Sequence, residues 1–251
     1  MAFEPETPTD DRTAGVAPGS TWERAGELAE HSGRSALAAQ FMTKVFGWMA
    51  GGLAASGAVA WMVMQSEALL QFVSGWFLPL MIVELVVVVA FSSMLHKMST
   101  AQAASAFLFY SALNGMTLGL IVAMYTGTSV ASTFFITAGT FGAMAFIGAT
   151  TKKDLSGIGS FLMMGVIAIL IASVVNLFLA SSALQWAVSI LGALIFTGLT
   201  AVDTQRFHKL GYSGFANERE AGQMAIRGAL NLYLDFVNMF LFLLRIFGTR
   251  R

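Results

Sequence analysis

Seven apolar stretches, each about as long as a bilayer is thick, constrain this chain more than anything else in it. They fall at roughly 44–64, 76–95, 103–124, 130–150, 157–179, 185–205 and 227–247. At 1.5 Å per residue, about twenty such residues cross the hydrocarbon core as an α-helix, the only open-ended backbone that satisfies its own hydrogen bonds there. Composition agrees: 56% of the 251 residues are hydrophobic and 11% charged, against about 25% charged in soluble domains. The reading is an all-α polytopic membrane protein with seven transmembrane helices.

The basic residues give the chain a direction. With the N-terminus inside, the inner segments carry Arg12, Arg24, Arg34, Lys44, Lys97, Lys152, Lys153, Arg206, Lys209, Arg219 and Arg227, while the outer loops near 65–75, 125–129 and 180–184 carry no Lys or Arg. This is the positive-inside pattern. Arg250 and Arg251 break it, because a last segment that fully crosses leaves them outside; a re-entrant segment would restore the rule. Trp61, Trp76, Tyr125 and Trp186 sit at span ends as interface anchors. Small residues at four-residue spacing, Gly47–Gly51–Ala55 in the first span and Gly115–Gly119 in the third, predict close helix packing.

Residues 1–41 differ from the rest. They hold Pro5, Pro8 and Pro18 and half of the acidic residues, and lack the apolar run and cleavage site of a secretory signal. They read as a cytoplasmic, disordered or surface arm, with a short surface helix over Trp22–Phe41, ahead of a bundle over 42–251. The balanced charge suggests no nucleic-acid partner. The absence of cysteine removes disulfides, thiol nucleophiles and cysteine metal sites. No HExxH, P-loop or dinucleotide fingerprint is present, and His31, His96 and His208 lie in the arm or at inner helix ends, so no histidine is deep enough to serve an intramembrane serine. The expectation is a protein that is not an enzyme and needs no cofactor.

The polar residues of the spans are the candidate site. In the last span, Arg227, Asn231, Asp235, Asn238 and Arg245 fall within a sector of roughly 80° at 100° per residue. Lipid does not accept such a stripe, so this helix belongs inside the bundle. Asn231 and Asn238 fit a role as helix–helix glue, whereas a carboxylate at depth marks an ion or proton route. Glu84 lies mid-span among aliphatic residues, and Arg245, in the same half, is the candidate cation for it. Asp203 ends the sixth span near its inner boundary, while Asp235 lies about 12 Å deep, counted from Arg227. Should Asp203 and Asp235 meet in a dry site, both cannot stay ionised; they titrate as a unit, sharing a proton in acid and presenting anionic oxygens that suit Ca²⁺ in alkali.

The stretch FGAMAFIGATTKKDLSGIGSFLMMGVIAILIASVVNLFL, then TAVDTQRFHKL, then ALNLYLDFVNMFLFLLRIFG, resembles the bacterial (YccA/YetJ-like) branch of the transmembrane Bax-inhibitor-motif family from about residue 40 to 251. The resemblance implies six helices around a central seventh and a pH-sensitive Ca²⁺ leak gated by a hydrogen-bonded aspartate pair, which maps onto Asp203 and Asp235. Ca²⁺ is then a permeant ion held transiently by the two aspartates, with Glu84, Arg245, Asn231 and Asn238 as pore or latch candidates. Some relatives latch the aspartates with an arginine near the inner end of the second helix; this sequence has His96 and Lys97 there. The implied partners are membrane lipid, Ca²⁺ and protons. The competing readings are an interaction protein that modulates a membrane protease or stress response, and a proton-coupled cation exchanger. The absence of a targeting segment and the bacterial-type motifs point to a bacterial inner (plasma) membrane.

Overall fold

The computed structural model describes residues 18–251, with side chains from residue 23 onward; the first seventeen residues of the expected arm lie outside that range. The described residues form eight α-helices: α1 (Pro18–Gln65), α2 (Glu67–Gly75), α3 (Phe77–Met94), α4 (Thr100–Ala123), α5 (Gly127–Thr150), α6 (Ser156–Leu179), α7 (Ser182–Ser213) and α8 (Glu218–Phe247), with a 3-10 turn at Leu95–Lys97. All but α2 are long and apolar enough to cross a membrane. The all-α class and the seven spans are as expected.

Local chemistry marks the helix ends. Ser99 and Gln102 close a capping box at the start of α4, and the Asn217 side chain accepts from the Glu220 N–H at 2.9 Å to start α8, each satisfying a backbone donor that the helix leaves free. Ser66 caps α2 in the same way, turning the expected outer loop 65–75 into a short helix. α1 runs through the expected boundary at 41/42 without a break. Its 23–37 portion is exposed, and Ala38 is the first buried residue among its described side chains. There α1 packs on the end of α7 and the turn after it, with Phe41 against Phe215 at 4.8 Å and His31 edge-on to Tyr212 at 5.7 Å. The surface helix expected over Trp22–Phe41 is therefore an extension of the first span.

Close approaches at three interfaces set the packing. A Cβ at Gly115 would lie 2.6 Å from the Ser56 carbonyl oxygen, and one at Gly119 2.9 Å from that of Ala60, so α4 presses on the α1 backbone. Gly148 meets the Ala201 backbone between α5 and α7, and Gly192 lies under the Phe242 ring between α7 and α8. The expected role of Gly47 and Gly51 is corrected, since nothing approaches either. The packing row is Gly52–Ser56–Ala60, one residue on and so about 100° round the helix.

α8 packs chiefly on α1, α4, α5 and α7, while α3 rests mainly on α4 and α6 on α7, so four helices rather than six flank α8 closely. α6 buries only Ile169 fully and α3 only Glu84 and Phe91, leaving apolar faces suited to lipid. The last helix crosses completely. Near its start, Arg219 donates to the Met98 carbonyl at 3.1 Å, before α4; after its end, the Thr126 N–H donates to Thr249 at 2.9 Å, and the Arg251 N–H to Met124 at 3.0 Å, beyond α4. α8 thus runs the full length of α4, and the re-entrant alternative is ruled out. Tyr125 is 3% exposed, beneath this tail with Arg250 over its ring, and is not the lipid-interface anchor expected of it; Trp61, Trp76 and Trp186 are well exposed.

Candidate functional site

The candidate site lies on two sides of α8 at the same depth. Asp235 faces α7. Gly228 sits against Phe207 and Gly192 against Phe242, which sets the antiparallel register of α7 and α8: Asp203 falls level with Asn231, and Asp235 one turn deeper, about 6 Å along the axis. Both helices run beyond the spans read from sequence, so the 12 Å offset shrinks by half. Asn231 stands beside the Asp203 carboxylate, and the Arg206 guanidinium acts on it from one turn along α7. Asp203 is in turn the charge that acts on Asp235. No hydrogen bond joins the two carboxylates, and Asp235, 4% exposed, leaves its Oδ2 buried without a partner.

Asp203 is half-buried and lines an open cleft of about 680 Å³ between α6 and α7, with Asp154, Ser156, Val202, Arg206 and Lys209. An ion pair spans its mouth: Lys209 Nζ lies 2.8 Å from Asp154 Oδ1. The bonds from Lys209 and the Ser156 hydroxyl hold the Asp154 carboxyl at about 2. Gln205, two residues after Asp203 in the DTQ stretch, ties the α5–α6 turn to α7. Its Nε2 donates to the Lys153 carbonyl at 2.7 Å, and its Oε1 accepts from the Leu155 N–H at 2.9 Å.

On the opposite side of α8, Tyr233 is wholly buried, with its ring edge-on to Phe107 and Tyr110. Its hydroxyl lies 2.6 Å from Ser56 Oγ on α1 and donates to Asn114 Oδ1 on α4 at 2.9 Å. Asn114 Nδ2 donates to Glu84 Oε2 on α3 at 3.2 Å, and the Thr117 hydroxyl to Glu84 Oε1 at 2.8 Å. This corrects the expected Glu84–Arg245 pair. Glu84 is satisfied by an amide and a hydroxyl, while Arg245 is exposed and stacks over Phe242 at 5.7 Å. A buried carboxylate needs donors, and two neutral ones one turn apart on α4 serve without taking a cation out of water. Asn238 is not glue between helices either: its Nδ2 donates to the Leu234 carbonyl of its own helix at 2.8 Å. His96 and Lys97 are exposed and make no latch to the aspartates.

The sequence reading missed Ser56, Asn114, Thr117, Tyr233 and Gln205. Only Asn114 and Thr117 carried a usable signal, a carboxamide and a hydroxyl at i and i+3 inside an apolar span. As ion ligands, Asp203 and Asp235 supply at most four carboxylate oxygens, short of the six to eight that Ca²⁺ takes.

A family model described as "Inhibitor of apoptosis-promoting Bax1" matches residues 38–251. The chain belongs to this family. It is 46% identical over 217 residues to the inner membrane protein YbhL of Escherichia coli strain K12, covering 84% of this chain and 92% of that one. An uncharacterised protein of Deinococcus radiodurans is 42% identical over 210 residues, covering 84% of this chain and 90% of its own. One from Borreliella burgdorferi is 43% identical over 215 residues, covering 84% and 93%. The family match starts at residue 38, where α1 first becomes buried, so the family's common part is the membrane body, and the exposed part of α1 lies ahead of it.

Proposed function

We propose that this family member is a pH-sensitive Ca²⁺ leak of the bacterial inner membrane, with its N-terminus in the cytoplasm and Asp203 and Asp235 as its gate. The observation that carries this reading is the buried, unpartnered Oδ2 of Asp235, one turn beyond a half-buried Asp203 that opens on a cleft. A carboxylate without partners at that depth is costly. Two visitors relieve it, a proton or a cation. With a proton Asp235 is neutral and the way inward is closed to ions; without one, two anionic groups stand in series from the cleft inward. The Lys- and Arg-bearing turns at the cleft end support an inward-facing cleft, and the inner-membrane name of the Escherichia coli relative supports the location.

The test is Ca²⁺ flux into dye-loaded liposomes across pH, with Asp203→Asn and Asp235→Asn alongside the native protein. Flux that rises with pH and loses that dependence in both variants is the expected result. Absence of flux at every pH, or flux indifferent to both substitutions, would sink the reading. A proton counter-flow driven by Ca²⁺ would replace the leak with an exchanger.

A further inference from the structure

We propose that Tyr233 is a positioning residue: its hydrogen bonds to Ser56 and Asn114 fix the rotation of α8 and so hold Asp235 in place against α7. Tyr233 and Asp235 are two residues apart, hence about 200° apart around the helix and about 3 Å apart along it. They are opposite ends of one lever. A rotation of α8 by roughly 20° carries an oxygen about 8 Å from the axis through about 3 Å, enough to break both bonds of the phenol. Asp235 cannot be re-aimed toward or away from Asp203 by turning α8 while those bonds stand.

The proton inventory shows how firmly the phenol is held. Asn114 Oδ1 only accepts, so the Tyr233 proton points to it. The Ser56 hydroxyl lies 2.6 Å from the phenol oxygen, with the Ser111 and Gly52 carbonyls also in reach of its one proton at 2.8 and 3.0 Å; with the phenol proton on Asn114, the Ser56–Tyr233 bond is made by the Ser56 proton in competition with those carbonyls. Asn114 passes the sense on by donating to Glu84. From Tyr233 on α8 the bonds run one way, through Asn114 on α4 to an acceptor on α3, and bonds arranged head to tail strengthen one another. The edge-on rings of Phe107 and Tyr110 fix the plane of the phenol. Glu84 is thus the end point of the chain that holds α8. Only the consequence for flux rests on the reading of Asp203 and Asp235 as a gate.

The chain has no cysteine, so single-cysteine reporters are clean. Asn231→Cys reports the α7–α8 seam beside Asp203, and Val202→Cys reports the cleft wall on α7. Each is treated with a charged thiosulfonate reagent in full-length protein in liposomes, with and without Tyr233→Phe. The phenylalanine keeps the ring packing and removes only the hydroxyl. Loss of two hydrogen bonds should raise the modification rate at Asn231→Cys about tenfold and leave Val202→Cys unchanged. An unchanged rate at Asn231→Cys, or equal increases at both reporters, overturns the proposal. If Tyr233→Phe does not fold, Ser56→Ala removes one link from another helix and is read in the same way. Because the reporters need no ion flux, a protein that leaks no Ca²⁺ still gives an answer. Where flux is present, Tyr233→Phe should raise it.

Discussion

On one side of α8, Tyr233 reaches Ser56 and Asn114, Asn114 reaches Glu84, and no buried polar atom of that set is without a partner. On the other side, at the same depth, Asp235 has a buried oxygen with no partner, and its charged neighbour is another carboxylate. Both sides hold a buried acid, yet only one is furnished as a permanent structure. A satisfied buried network rigidifies what it joins, whereas an unsatisfied carboxylate is expensive unless something else arrives. The same helix therefore carries a fixed hinge pin and an open socket, and the pin sets where the socket points.

That contrast can be broken by substitution. The largest effect is expected from Glu84→Leu, which strands the Asn114 amide and should cost about 2 kcal/mol of unfolding free energy in detergent; a neutral outcome would show that the network holds nothing. Asp235→Asn should move the other way, gaining about 1 kcal/mol at neutral pH by removing an acid that folding buries without a partner. A loss of similar size would erase the difference between the two faces. Gln205→Ala should act more locally. It frees the Leu155 N–H, whose hydrogen exchange should quicken about fivefold for the loss of one bond of about 1 kcal/mol, while the melting temperature moves little.

The smallest effect concerns the cleft mouth. The Asp154 carboxyl, at about 2, lies below its ordinary 3.8. A depressed acid contributes above its ordinary value and loses that contribution as pH falls toward the folded one. The Lys209–Asp154 pair should thus persist throughout neutral and mildly acidic conditions and open only between about pH 4 and 2. Carbon NMR of the carboxyl should show that titration, and Lys209→Ala should move it upward. A titration near neutrality would instead make the mouth part of any pH response.

Much of this was legible in the chain itself. The carboxylates of Glu84 and Asp235 stood out because each interrupts an apolar span, and the stripe of Asn231, Asp235 and Asn238 correctly turned one side of α8 away from lipid. Errors arose wherever a partner had to be named. Arg245 was the obvious cation for Glu84 by depth, but depth carries no azimuth; Arg245 points out over Phe242, and Glu84 meets Asn114 and Thr117. Tyr233 gives no polar signal in its span because its hydroxyl is a small part of a large ring. Gly51 was preferred to Gly52 for its spacing, and one residue is a rotation of about 100°.

The sequence alone determined how many times the chain crosses, roughly where each helix lies and which acids are buried, because a bilayer imposes a length and polarity condition on each segment separately. Tertiary structure decided the rest: the one-turn offset of Asp203 and Asp235, the four helices linked through Tyr233 and Asn114, and the tail that seals Tyr125. Those depend on the relative rotation and register of helices distant in sequence, and no single segment encodes either.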